Sequence, residues 1–190
     1  MGFVDFDHDG HFDLYQANGR VMMQGGDFTS DPYAEPNLLM RGDASGRFEV
    51  LGGGTSSPLY ATSRAAAFGD VDGDGAIDVL VVNRDAPAHL LRNTVPDRGA
   101  WVMLRVVNQH GADALGAVVR FRVGDRAWLY DVRAGYSYLA SNDPRVHVGL
   151  GESDRIDEVT VEWPDGSFES FGALEAGRVH ELRRGASDGG

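Results

Sequence analysis

Apolar residues along this chain come in short runs that alternate with polar ones, the period of a half-buried strand, and no segment sustains a helical period. The alternation is plainest in the second half. Trp101 to Val107 reads as a strand. Ala117 to Val123 places Val119, Phe121 and Val123 on one face and Arg120 and Arg122 on the other, and Gly124-Asp125 supplies a two-residue turn. The return strand, Arg126 to Arg133, carries Trp128, Tyr130 and Val132 on one face. Val159, Val161 and Trp163 alternate with Glu158, Thr160 and Glu162, then Pro164-Asp165-Gly166 turns the chain and Phe168 to Phe171 returns. Val179 to Leu182 is expected to close the sheet. The pattern predicts an all-β chain whose second half is an antiparallel β-sandwich or small barrel.

The first half repeats itself. Asp5-Phe-Asp7-His-Asp9-Gly10-His-Phe-Asp13 recurs further along as Asp70-Val-Asp72-Gly-Asp74-Gly75-Ala-Ile-Asp78. Each copy is led in by a short apolar segment, Gly2-Phe3-Val4 or Arg64 to Gly69, and followed by a strand-like run from Asp13 or Asp78. After the first copy comes a connector from Gly25 to Pro36, and then Asn37 to Val50 reads as strand, turn, strand. Ala88 to Asn93 stands at the matching place of the second copy. One unit is therefore four short strands, the content of a propeller blade. A blade cannot bury both faces alone. The chain opens inside a repeat, so the expectation is that its true beginning and the remaining blades lie outside it. The predicted division is 1–97 for the repeat region, 98–184 for the second β domain and 185–190 for a loose tail.

Four carboxylates crowded into each short loop repel one another, and a hard divalent cation is the simplest reason to hold them together. Ca²⁺ takes about 6–8 oxygen ligands, and a tight calcium loop needs acids at positions 1, 3 and 5, a glycine at 6 and a backbone carbonyl at 7. The candidate ligands are Asp5, Asp7, Asp9, the His11 carbonyl and Asp13 in the first loop, and Asp70, Asp72, Asp74, the Ala76 carbonyl and Asp78 in the second. Gly10 and Gly75 are the turn glycines. The loop is not an EF-hand, because position 12 is Gln16 or Val81 rather than Glu. The ninth-position Asp can supply the closing carboxylate. Two Ca²⁺ sites are expected, with His8 and His11 at outward positions of the first loop.

Composition narrows the function classes. The formal net charge is −12, which makes nucleic acid and anionic membrane poor partners. Residues 1–97 hold 15 acids against 6 arginines and residues 98–190 hold 14 against 11, so the charge is concentrated on the repeats. There is no cysteine and hence no disulfide or thiolate metal site. No apolar run is long enough to span a bilayer as a helix.

No catalytic constellation emerges. Gly135-Tyr-Ser137-Tyr-Leu139 lacks the second glycine of a nucleophile elbow, and neither H-E-x-x-H nor a P-loop occurs. His147, beside Gly149-Leu-Gly151, reads as a structural histidine at a strand end, with a general base as the rival. Trp128, Tyr130, Tyr136 and Tyr138 read as sandwich core, with a carbohydrate groove as the rival. Arg133, Arg145 and Arg155 read as solvated or salt-bridged surface, with anion binding as the rival.

These pieces match known families. The Asp loops resemble the FG-GAP or VCBS repeats of β-propellers, including integrin-type calcium blades, and Arg64-Ala-Ala-Ala-Phe68-Gly-Asp70 is close to their lead-in. The second half is similar to the ASPIC/UnbV domain in Gly116-Ala-Val-Val-Arg120, Val132-Arg-Ala-Gly135-Tyr-Ser-Tyr138-Leu, Asn142-Asp-Pro144, His147-Val-Gly149-Leu-Gly151 and Val161-Glu-Trp163-Pro-Asp-Gly166. The two in this order resemble the C-terminal part of the cartilage-acidic-protein-like family. Two places depart from that pattern: Gly111-Ala-Asp113-Ala-Leu115 stands where an Asn-Arg pair is usual, and Val148 where a phenylalanine is usual. The resemblance implies an extracellular or exported, calcium-bound, non-catalytic adhesion or scaffold-type module with an unknown protein or glycan ligand. In bacteria the domain also occurs near enediyne biosynthetic genes, so an accessory or tailoring enzyme is the alternative.

Overall fold

The computed structural model describes residues 1–22, 29–55 and 59–186. Part of the Gly25–Pro36 connector and residues 187–190 of the expected tail lie outside them. Every regular element described is a strand. The chain divides into two units: Met1–Phe6, His11–Val95 and Gly135–Asn142 form the first, and Asp7–Gly10, Pro96–Ala134 and Asp143–Gly190 the second.

The first unit contains β1 (Gly2–Val4), β2 (Asp13–Gln16), β3 (Glu35–Pro36), β4 (Leu38–Gly42), β5 (Phe48–Gly52), β6 (Tyr60–Ala61), β7 (Ser63–Gly69), β8 (Asp78–Asn83) and β9 (His89–Leu91). They make a four-stranded antiparallel sheet in the order β1-β2-β4-β5, a three-stranded antiparallel sheet β7-β8-β9, and the small pair β3-β6. The repeat seen in sequence is a repeat in register. Phe3 pairs with Leu14 in one sheet and Phe68 with Val79 in the other. The third strands also match, since Leu14 pairs with Met40 and Val79 with Leu91. The stretch from Val79 to Leu91 is much shorter than that from Leu14 to Met40, so the second copy reaches the same pairing with a shorter connector.

The second unit contains β10 (Ala100–Val107), β11 (Val118–Val123), β12 (Arg126–Asp131), β13 (Val146–Gly151), β14 (Arg155–Glu162), β15 (Phe168–Glu175) and β16 (Arg178–Arg183). Its sheets are β13-β10-β16 and β12-β11-β14-β15, and neither closes into a barrel. One apolar core joins them. Val102, Leu104 and Val106 of β10, Val146 and Val148 of β13, Phe121 of β11 and Val159 of β14 all belong to it. The expected alternation holds on β11, where Val119 and Phe121 are buried between exposed arginines. On β14 both Ile156 and Val159 point inward although their spacing is odd. A register shift between them absorbs that spacing, as a bulge does.

Two features differ from expectation. The last strand does not close an antiparallel sheet: β16 pairs parallel with β10, Val102 opposite Arg178. Strand β13 is visible in sequence only as a motif, although Val146, Val148 and Leu150 alternate; its glycines mask the strand signal. The Pro164-Asp165-Gly166 corner forms as expected, with the Trp163 N–H donating to the Ser167 carbonyl at 2.8 Å. The Arg184 guanidinium and the Ser167 hydroxyl hold the Asp165 carboxyl well below the usual carboxylate range.

Ile156 is fully buried in this core, whereas Leu129 on β12 is 54% exposed. Ile156→Ala is expected to cost about 2–5 kcal/mol of stability and Leu129→Ala less than about 0.5 kcal/mol. Urea unfolding of the two variants beside the parent checks this.

Candidate metal loops

Each Asp loop spans the gap between an edge strand and its neighbour, from β1 to β2 and from β7 to β8. Two backbone positions repeat. Gly10 and Gly75, the expected turn glycines, have φ of 86° and 87°, the left-handed region that glycine enters without a Cβ penalty. Two positions earlier the chain is left-handed again, at His8 (φ 61°) in one copy and Gly73 (φ 77°) in the other.

The carboxylates gather by position. Oxygens of Asp5, Asp7 and Asp13 lie within 4.8 Å of one another, and so do those of Asp70, Asp72 and Asp78. These are the first, third and ninth acids of each loop. The fifth-position acids, Asp9 and Asp74, are outside these groups. Asp74 is exposed, and its Oδ1 accepts the Ala76 N–H at 2.9 Å. Of the two expected carbonyl donors, Ala76 is fully buried and His11 half-buried. Asp5, Asp13, Asp70 and Asp78 are buried. A buried charge is tolerated only when hydrogen bonds or an opposite charge replace its water.

The ninth acid obtains that replacement in the same way in both copies. Asp13 Oδ2 accepts the Phe6 N–H at 2.9 Å and its Oδ1 accepts the Gly42 N–H at 2.9 Å. Asp78 Oδ2 accepts the Val71 N–H at 3.1 Å and its Oδ1 the Asn93 N–H at 2.8 Å. Phe6 and Val71 are second in their loops, and Gly42 and Asn93 each stand two positions beyond the paired Met40 or Leu91. At Gly42 the approach is so close that a Cβ would lie 2.0 Å from the Phe12 carbonyl oxygen, which requires glycine. Sequence reading missed this bridge. Its signal is the polar or glycine residue after each Leu-Met-Arg or Leu-Leu-Arg run.

The first acid of the second loop is also held, Asp70 accepting the N–H groups of Gly73 and Gly75 at 2.7 and 3.1 Å. Asp72 is exposed and ion-pairs with Arg92. A ligand set made only of oxygens, on a loop turned by glycine, fits a hard divalent cation rather than a soft one. Asp5, Asp7, Asp13 and Asp70, Asp72, Asp78 would hold it.

His8 departs from expectation. It is 1% exposed rather than outward, its left-handed backbone turning the ring into the interior of the second unit, to which it belongs. There its Nδ1 lies 3.1 Å from the Gly99 carbonyl and its ring 4.9 Å from that of His147. Its own carbonyl accepts the Gly151 N–H at 2.8 Å. His147 sits within β13, near its start.

Between the two larger sheets of the first unit lies a cavity of about 200 Å³, lined by Tyr15, Leu39, Ile77, Val79 and Leu91 with Arg92 at its polar side. Burial pushes the Tyr15 phenol up, against a smaller opposing effect of Asn37. Three of the four aromatic residues of the rival sugar platform stack on other rings. Trp128 and Tyr130 stack on Phe121 with ring centroids 5.4 and 5.7 Å apart, and Tyr136 stacks on Phe68 at 6.3 Å. Tyr138 is exposed.

Among the described residues no helix is long and apolar enough to cross a membrane. Residues 107–189 match the family model described as ASPIC and UnbV. The chain is 29% identical over 177 residues to cartilage acidic protein 1 of Xenopus tropicalis, a match that covers 87% of this chain and 25% of that protein. It is 32% identical over 105 residues to the Homo sapiens protein of the same name, covering 53% of this chain and 16% of that one. The chain thus spans about a quarter or less of the length of these relatives. Over residues 107–189 the chain is thus similar to ASPIC/UnbV domains, and over most of its length it resembles cartilage acidic protein 1.

Proposed function

We propose that this chain is a calcium-stabilised, non-catalytic binding module that works outside the cell. In this reading the two sheets with Asp loops are blades of a β-propeller of the FG-GAP or VCBS kind, and the ASPIC/UnbV domain follows them. The observation that carries the reading is the pair of carboxylate groups built in one register on two copies of the same strand–loop–strand unit. Similarity to cartilage acidic protein 1, named for cartilage, supports an extracellular setting. Extracellular calcium modules bind at roughly 10⁻⁴–10⁻³ M, a range that fits loops whose third and fifth acids stay partly in water.

Calcium would contribute where like charges meet. Each group packs three carboxylates within 4.8 Å, and a bound cation turns that repulsion into attraction. Since the loop exists only in the folded chain, binding energy is in part folding energy. The ninth acids differ from the third. Asp78 is already committed to two backbone N–H groups, whereas Asp72 meets solvent and an exposed arginine.

Three variants separate these roles. Asp78→Ala is expected to lower the melting temperature with or without Ca²⁺, because it leaves two backbone donors without their acceptor, at about 1–3 kcal/mol each where buried. Asp72→Ala is expected to abolish the calcium-dependent rise while changing the metal-free melting temperature little, since an exposed ion pair contributes about 0–1 kcal/mol. Melting curves on chelator-stripped protein with and without Ca²⁺ check both, and equal losses for Asp72→Ala in the two conditions overturn the calcium reading. Arg92→Gln removes the cation that Ca²⁺ must displace from Asp72 and is expected to tighten calcium binding several-fold in calorimetry.

A further inference from the structure

Strand β7 is an edge of its three-stranded sheet, with β8 on one side. Among the described residues no strand pairs with its other side. Along such an edge the backbone groups of alternate residues point away from the sheet, a template on which another strand can form. The edge of β7 does not lie in water: Ala66 is 1% exposed and Phe68 2%. A buried N–H or C=O needs a partner, so something other than a strand must supply it.

That partner is the segment Gly135–Asn142. It lies far along the sequence, within the second half, yet belongs to the first unit. The Ser137 hydroxyl donates to the Ala66 carbonyl at 2.8 Å. Asn142 Oδ1 accepts the Phe68 N–H at 3.0 Å and lies 3.1 Å from the same hydroxyl. A donor to one residue and an acceptor from the residue two further on is what a single residue of an adjacent parallel strand provides. Two side chains do the same work here. The Tyr136 ring stacks on that of Phe68 with centroids 6.3 Å apart, so the segment also covers the side chain at the edge.

The segment is shaped for this contact. A bridge between Ser137 and Ala140 folds it into a tight turn, and Leu139 takes a φ of 52° there. A left-handed backbone is costly for a bulky residue and persists only where its surroundings hold it. Tyr138 and Leu139 at the turn are exposed, whereas Asn142 is buried. The bonds to β7 are therefore made at the base of the turn.

We propose that Gly135–Asn142 is an edge guard: Ser137 and Asn142 stand in for a neighbouring strand and close β7 to strand addition. Release of the guard leaves the Ala66 carbonyl and the Phe68 N–H open to an extended segment of another chain, the chemistry of strand addition at a sheet edge. In this assignment Ser137, which the sequence sets in an incomplete nucleophile elbow, is a positioning residue. The inference rests on backbone hydrogen bonding alone and is independent of calcium and of the blade reading.

Amide hydrogen exchange on the whole chain, read residue by residue by NMR, tests it. The Phe68 amide is expected to be protected in the parent. Ser137→Ala with Asn142→Ala is expected to speed its exchange about tenfold or more, while the amides of β8 and β9 change by less than about twofold. Tyr138→Ser with Leu139→Gly, at the tip of the turn, is expected to leave Phe68 as in the parent. Thioflavin T fluorescence, which reports growth of strand on strand, is expected to rise with concentration in the Ser137/Asn142 variant and to stay flat in the parent. Near-UV circular dichroism confirms folding. Asn142→Leu, similar in size but without the acceptor, replaces the pair if the pair unfolds the chain, with the same outcomes expected. Unchanged Phe68 exchange overturns the proposal. So does equal acceleration throughout β7, β8 and β9, or fluorescence that stays flat in the variant.

Discussion

A buried carboxylate with two backbone donors organises each repeat. Asp13 and Asp78 are 3% exposed, and each spends both oxygens on N–H groups from separate parts of the chain. One donor is at the start of the loop and the other is just past the third strand's pairing. A single side chain thus fixes where the loop begins, where the second strand starts and how far the third strand runs. Charge-assisted hydrogen bonds of this kind are about twice as strong as neutral ones, and losing the acceptor leaves donors stranded. The other acids of the loop crowd together on the backbone that this bridge holds.

That bridge also explains why the copies can differ in length without losing register. The connector before the third strand is shorter in the second copy, yet Met40 and Leu91 pair with equivalent residues and Gly42 and Asn93 donate to equivalent acids. The arginine just before the donor, Arg41 or Arg92, is carried to the same place in the repeat. In the second copy it reaches the third acid, Asp72. The pairing partner of the second strand is set by the ninth acid rather than by loop length, in keeping with the slow growth of loop-closure entropy with length.

The strands and loops are legible in sequence because alternation, turn glycines and repeated acids are local signals. Val119 and Phe121 face inward as their spacing predicts, and Gly10 and Gly75 take the left-handed backbone that the loop demands. What is not legible depends on distant partners. The parallel pairing of β16 with β10 joins segments far apart in the chain, and nothing local in Arg178–Arg183 distinguishes it from an antiparallel return. His8 reads as outward because its position alternates with the acids of the loop. In the second copy that position is Gly73, which has no side chain to bury. In the first copy the same backbone geometry carries an imidazole that reaches the Gly99 carbonyl. The two loops share a conformation and differ in what it is used for.

Sidedness follows from the same repetition. Two units with one register do not meet face to face as mirror partners; they stack head to tail, so equivalent residues have opposite fates. Phe68 is buried because a sheet lies on its face, and Phe3, its counterpart, is exposed because no described strand lies on its own. Hydrophobicity alone could not distinguish them, since both are phenylalanines on the strand leading into an Asp loop. Burial here is a property of place in the stack and not of the residue.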